Sequence, residues 1–198
     1  GKTALITGGG SGLGFAFAKR LAQDGANIVI ADIRGASDAA KILQELDFKA
    51  VGVALDVSQV ESVIAAVDVV NSSYGGVDIL VNNAALFSTL VNKPFDEIDS
   101  AEWMKVMTVN TLGPFLCAKH FSAQMKQKQW GRIINTSGVA PYLGIGAAKA
   151  MVKLGIVGFT RGIAQEFGKY NITANCFGPG QIARAAESSV KEKPIRAV

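Results

Sequence analysis

Thr3-Ala4-Leu5-Ile6-Thr7-Gly8-Gly9-Gly10-Ser11-Gly12-Leu13-Gly14 opens the 198-residue chain, and its reading decides the fold. Thr3–Thr7 is short, almost wholly apolar and free of polar alternation, which predicts a strand covered on both faces. A glycine-rich turn follows, and helical periodicity begins at Leu13 and runs to Asp24. Glycines let the chain turn tightly and let backbone N–H groups come close to a pyrophosphate, and the helix N-terminus adds about half a positive charge. The spacing Gly8, Gly12, Gly14 is Gly-x-x-x-Gly-x-Gly. It differs from the Gly-x-Gly-x-x-Gly fingerprint, and no Gly-Lys-Ser/Thr ends it as in a P-loop. A turn of this composition can be purely structural; its place between the first strand and a helix favours phosphate binding.

Outward from this unit the pattern alternates to the end of the chain. Further strand-length apolar runs are Asn27–Ala31, Ala50–Leu55, Asp78–Val81, Arg132–Thr136 and Ile172–Phe177. Helical periodicity occupies Ser37–Leu46, Gln59–Ser73, Trp103–Lys126 and Ala147–Gly168. Buried strands separated by helices predict a parallel sheet, and right-handed crossovers make it a doubly wound, three-layer α/β domain of the Rossmann type. Gly25 and Gly75-Gly76 read as helix stops, Ser58 as the N-cap before Gln59, and Pro179-Gly180 as a turn after the sixth strand. No repeat or composition break divides the chain, so residues 1–198 are expected to form one domain.

Asp32 ends the second strand, 18 positions after Gly14. A carboxylate there accepts hydrogen bonds from the adenosine ribose hydroxyls and repels a 2′-phosphate, which favours NAD over NADP. Arg34, two residues on, could in principle pair with that phosphate.

Composition closes off several other functions. With 49% hydrophobic and 18% charged residues the chain can bury a core and is not disordered. Mean hydropathy is +0.27, yet no apolar run reaches the roughly 20 residues that cross a bilayer, and no signal-peptide pattern is visible. Two cysteines, Cys117 and Cys176, make no disulfide framework and fit a reducing, cytoplasmic setting. With His120 as the only histidine, no metal site is expected. The net charge of +4 is spread without a run of five like charges, so neither nucleic acid nor membrane is expected as a partner.

With the glycine turn, Asp56-Val57 after the third strand, Asn82-Asn83-Ala84-Ala85 after the fourth, Asn110 in the long helix, Gly131–Asn135 in the fifth strand and Pro179-Gly180 after the sixth, the chain resembles a short-chain dehydrogenase/reductase. The likeness covers nearly the whole chain. It implies hydride transfer between a nicotinamide cofactor and a secondary alcohol or ketone. It also implies that Gly8, Gly9, Gly10, Ser11, Gly12, Leu13, Gly14, Asp32, Asp56, Val57, Asn83 and Ala84 line the cofactor, with Pro179, Gly180 and Ile182 at its nicotinamide end. Ala85 stands where the motif usually has glycine.

The family's acid–base machinery is a tyrosine, a lysine one turn later, a serine closing the fifth strand, and an asparagine that anchors a relay water. Asn110 matches the asparagine. Counting back from Gly158-Phe159-Thr160-Arg161 makes Lys153 the lysine, also on the cofactor ribose, and puts Lys149 at the tyrosine position. A second frame makes Lys149 the lysine and Ile145 the tyrosine position, at the expense of a four-residue insertion in a helix. Neither frame contains the tyrosine. Gly138 stands at the serine position, and Ser137, one residue early, is expected to face the wrong way.

Three explanations are open: an altered chain, residues omitted between Gly138 and Lys149, or Lys149 itself as a base of depressed pKa. Tyr142 is expected at the substrate pocket or the surface, His120 in packing. After Gly180 no threonine follows where the family has one, and the lid and seventh strand of a usual member are expected to be missing. The rival to an active enzyme is a non-catalytic cofactor-binding protein of the same fold; a nucleotide-sugar epimerase or dehydratase is a weaker alternative. The helices Trp103–Lys126 and Ala147–Gly168 commonly pair with their twins in this family, so a homo-oligomer, dimer or tetramer, is expected.

Overall fold

The computed structural model describes residues 1–86, 93–180 and 182. Its strands are β1 Thr3–Thr7, β2 Asn27–Asp32, β3 Ala50–Ala54, β4 Ile79–Asn82, β5 Gly131–Thr136 and β6 Ile172–Phe177. All pair in parallel, in the order β3-β2-β1-β4-β5-β6. The helices are α1 Gly12–Gln23, α2 Ala36–Gln44, α3 Val60–Tyr74, α4 Ser100–Met107, α5 Gly113–Gln127, α6 Ala140–Leu143 and α7 Ala147–Phe167. This is the doubly wound α/β architecture, with boundaries within about three residues of the pattern reading.

Strand alternation divides the core. Leu5, Val29, Leu80, Ile133 and Ile172 pack on one face with residues of α3, α5 and α7, among them Val63, Val70, Met125, Ile163 and Phe167. Ala4, Ile6, Ile28, Ile30 and Val81 face Ala18, Ala22, Ala39 and Leu43 of α1 and α2. Asp78 pins the edge of the sheet remote from the strands' carboxyl ends. It is buried, accepts the Thr3 N–H at 2.9 Å and pairs with Lys128 at 3.3 Å.

Three local expectations are corrected. The long helix at Trp103–Lys126 is α4 and α5 joined through a π-turn, Thr108–Leu112, that widens the hydrogen-bond ring around Asn110. Ser58 does not cap α3: the helix begins at Val60, and the Ser58 hydroxyl and N–H both donate to the Asp56 carboxylate, at 2.6 and 2.9 Å. The four-residue helix α6 was not anticipated; Pro141 sits in its first turn, where a missing N–H costs nothing. The expectations for the chain after Gly180, other than Ile182, lie outside the described residues.

Candidate active site

The strand order reverses direction between β1 and β4, which both neighbour each other and lead to helices on opposite faces. The crevice beyond their carboxyl ends is where open α/β sheets bind ligands. A cleft of about 820 Å³ occupies it, walled by Gly8, Ser11, Asp32, Arg34, Asp56, Val57, Asn83 and Ala84, with Lys105, Thr108 and Val109 on the far side. A smaller cleft of about 250 Å³ shares Asn83 and Ala85 with it and continues to Ser137, Gly138, Lys149, Lys153, Pro179 and Gly180. Together they form one trough along the carboxyl ends of β1, β4, β5 and β6.

The glycine crook is shaped for a close approach. Gly8 lies at φ +64°, and a Cβ built on Gly14 would stand 2.1 Å from the Gly8 carbonyl oxygen. No side chain fits either position. Gly9 and Gly14 are buried behind the crook, Gly10 and Leu13 are half-buried, and Gly12 is exposed at φ +55°. The Asn83 side-chain amide donates to the Thr7 and Gly8 carbonyls at 3.2 and 3.3 Å, and the Thr7 hydroxyl accepts the Asn83 and Ala84 N–H groups. The β4 end and the crook are thereby locked to each other. The Asp32 carboxylate accepts the N–H of Gly10 at 3.0 Å and of Arg34 at 3.2 Å, which aims it at the rim of the larger cleft.

At the other end, α7 lays Lys149 and Lys153 one turn apart against the smaller cleft. Ile145, four residues before Lys149, lines it as well. Lys149 and Lys153 share a face because four residues make about one turn of helix, whereas Ile145 reaches the cleft from the loop before α7. Lys153 is buried, and its ammonium donates to the Thr136 carbonyl at 2.7 Å. Burial, and secondarily the charge of Lys149, lower its pKa from 10.5 to about 8.

Ser137 is buried in the cleft wall, but its hydroxyl donates to the Lys153 backbone carbonyl at 2.7 Å, so it faces α7 as strand parity requires. Asn110 is buried in the π-turn. Its side-chain amide donates to the Val106 and Leu86 carbonyls, both at 2.8 Å, and its oxygen accepts the Leu86 N–H at 3.2 Å. The side chain expected to anchor a relay water is thus largely spent on bracing the segment after β4.

Ile182 is 52% exposed and stands in the wall of neither cleft. Tyr142 is 73% exposed, and of its two expected places the structure selects the surface. Lys105 and Thr108 in the cleft wall went unread from the sequence, since nothing in a lone polar residue on a periodic helix marks it as facing a cleft; Ser58, read only as a cap, lines it too. Among the described residues no cluster of three or more His, Cys, Asp and Glu could hold a metal.

A trough at the switch point, a crook that admits only glycine, and a carboxylate at its rim define a dinucleotide-binding α/β protein. Residues 2–194 match the family model described as short chain dehydrogenase, and the chain belongs to that family. It is an oxidoreductase of the kind that transfers hydride between a nicotinamide cofactor and an alcohol or ketone. Levodione reductase of Leifsonia aquatica is 35% identical over 198 residues, 96% of this chain and 73% of that protein. Among solved structures, NAD+-bound xylitol dehydrogenase superposes with a TM-score of 0.88 at 32% identity, over 93% of this chain and 72% of the other. A gluconate 5-dehydrogenase from Burkholderia cenocepacia J2315, in complex with NADP and tartrate, gives 0.88 at 32% identity, over 96% and 76%.

Proposed function

We propose that this chain is an NAD-preferring dehydrogenase or reductase of a small alcohol or ketone, working as a homo-oligomer in the cytoplasm. The observation that carries the cofactor preference is Asp32. Two backbone N–H groups hold its carboxylate at the rim of the larger cleft, where it meets a ribose diol favourably and a 2′-phosphate with like-charge repulsion. The two cysteines are unpaired, as a reducing compartment requires, and among the described residues no helix is long and apolar enough to cross a membrane.

The residues fit the cofactor. The crook and Ser11 cradle the diphosphate, Asp56 and Val57 border the adenine, and Asn83, Ala84, Pro179 and Gly180 lead to the nicotinamide end. The cofactor, when bound, supplies or accepts the hydride. Hydride loss from an alcohol carbon leaves a proton on its oxygen, and a base must stand within reach of it. Lys153 is the candidate: with a pKa of about 8 its neutral amine is populated near neutral pH, and the Thr136 carbonyl fixes it at the strand end. In the reductive direction the ammonium returns the proton. Ser137 positions Lys153 through the helix backbone, and Asn110 positions the Ala85–Leu86 wall.

Calorimetric titration with NAD and NADP, paired with turnover on secondary alcohols, tests this reading. NAD is expected to bind about tenfold more tightly, the worth of one charge-assisted contact. Equal affinity or tighter NADP overturns the preference, and cofactor binding without turnover on any alcohol or ketone overturns the assigned chemistry.

A further inference from the structure

The far wall of the larger cleft holds a charge that the fold itself does not use. Lys105, on α4, lines that wall beside Thr108 and Val109 and is exposed. The Thr108 hydroxyl is spent on the Met104 carbonyl at 2.8 Å, and Val109 packs against the core. The Lys105 ammonium makes neither a hydrogen bond nor an ion pair among the described residues. The acids around it have other partners. Glu102, three residues earlier on the helix, pairs with Lys93. The Asp32 carboxylate accepts the Gly10 and Arg34 N–H groups, and the Asp56 carboxylate accepts both donors of Ser58. A helix end does not account for the lysine either. A cation in a last turn ordinarily answers the negative end of the helix dipole. Here α4 runs through the π-turn into α5, so that end is not free.

The ligand of the cleft supplies the partner. NAD carries its negative charge on the diphosphate alone, and it brings that charge in beside Asp32 and Asp56. The crook answers with backbone N–H groups and about half a charge from the helix N-terminus. Residues 8–14 are glycine, serine and leucine only, so the crook itself offers no cation. The cleft wall has two, Arg34 and Lys105. Arg34 follows Asp32 at the ribose end, and Lys105 stands on the wall away from Gly8 and Ser11. We propose that Lys105 is a cofactor-binding residue whose ammonium closes on the diphosphate from the side opposite the crook. This rests on the dinucleotide reading above and adds a contact to it. The flexible four-carbon stem suits a point charge to this task. The contact is screened by salt, and it serves NAD and NADP alike because both carry the diphosphate.

The test uses the whole chain and two probes that cannot react. ADP-ribose carries adenosine and the diphosphate without the nicotinamide; adenosine lacks the diphosphate. Both are titrated calorimetrically into wild type, Lys105→Gln, Lys105→Arg and Lys169→Gln, with a thermal melt as the fold control. Lys169 precedes β6 at the opposite edge of the sheet, so its removal takes the same charge from the chain away from the cleft. Lys105→Gln is expected to weaken ADP-ribose about fivefold, the worth of one partly screened ionic contact, and to flatten its salt dependence. Adenosine should bind Lys105→Gln as it binds wild type, and Lys105→Arg and Lys169→Gln should hold ADP-ribose nearly as wild type does. Unchanged ADP-ribose affinity in Lys105→Gln, an equal loss for adenosine, or an equal loss in Lys169→Gln overturns the proposal. A loss several-fold greater for NADP than for NAD moves the contact to the 2′-phosphate and overturns it as well. If wild type binds neither ADP-ribose nor NAD, the dinucleotide reading falls and this proposal with it; if wild type and Lys105→Gln bind both equally, the proposal alone falls.

Discussion

Asp32 and Lys153 carry the two ends of the trough, and each makes a measurable prediction by itself. Replacing Asp32 with Ala removes both the acceptor for the ribose diol and the negative charge at the rim of the larger cleft. NAD affinity should fall about tenfold to a hundredfold, and NADP affinity should rise, when both are read by quenching of protein fluorescence. The substitution also frees the Gly10 and Arg34 N–H groups, which lie at the rim where water reaches them. Lys153 predicts a pH dependence. Its pKa is about 8 in the folded chain against 10.5 for an ordinary lysine, because burial and Lys149 both disfavour the ammonium. Between those values the unfolded chain binds the proton more tightly, so this residue makes stability rise with pH from about 8 to about 10.5. Below pH 8 the buried charge costs at most about 3 kcal/mol. Urea unfolding of Lys153→Met against wild type should show the variant gaining relative stability at pH 7 and losing that advantage by pH 10.5. A constant difference across the range would refute the assignment.

At the scale of elements, the site depends on how α7 is seated. A buried polar chain crosses from the sheet to this helix. The Asn82 amide donates to the Asn135 oxygen at 2.8 Å, the Asn135 amide to the Thr160 hydroxyl at 2.9 Å, and that hydroxyl to the Ile156 carbonyl at 2.6 Å. It fixes the height of α7 over β5, and with it the depth of Lys153. Thr160→Val keeps the shape but leaves the Asn135 amide without an acceptor in a fully buried place. The expected loss is about 1–3 kcal/mol in denaturant melts, together with a weaker kcat and a nearly unchanged KM for cofactor. If Thr160→Val melts like wild type, the chain does not anchor the helix. The π-turn acts similarly on the other wall: one extra residue in the hydrogen-bond ring turns Asn110 inward, where it grips both the N–H and the carbonyl of Leu86.

The whole molecule leaves an apolar surface on the helices expected to pair with a second copy. Met104 of α4, Leu112 at the π-turn, Phe115 of α5, and Met151 and Leu154 of α7 are all exposed. Self-association through these helices would cover them. Light scattering should report a dimer or larger, and the pair Phe115→Glu and Leu154→Glu should shift it towards monomer with little change in far-ultraviolet circular dichroism. A wild-type monomer at tens of micromolar would contradict this. The topology also explains why the site lies where it does. Only at the β1–β4 junction do the crossovers diverge to opposite faces, so only there does the sheet edge open into a crevice.

The strands, the helices and their alternation were legible in the residues, because burial on both sheet faces writes continuous apolar runs and because Gly8 and Gly14 occupy positions where a Cβ meets backbone. Asp32 was legible too, since its distance from the crook along a βαβ unit places it at the same rim. The sequence also determined that no tyrosine stands at Ile145 or Lys149. Tertiary structure alone decided the rest. It turned Ser137 onto the Lys153 carbonyl, spent the Asn110 amide on Leu86, exposed Tyr142 and Ile182, and chose Lys153 as the buried amine. Such outcomes depend on which packed neighbour each polar group meets across the fold, and a periodic pattern records only which side of its own element a residue occupies.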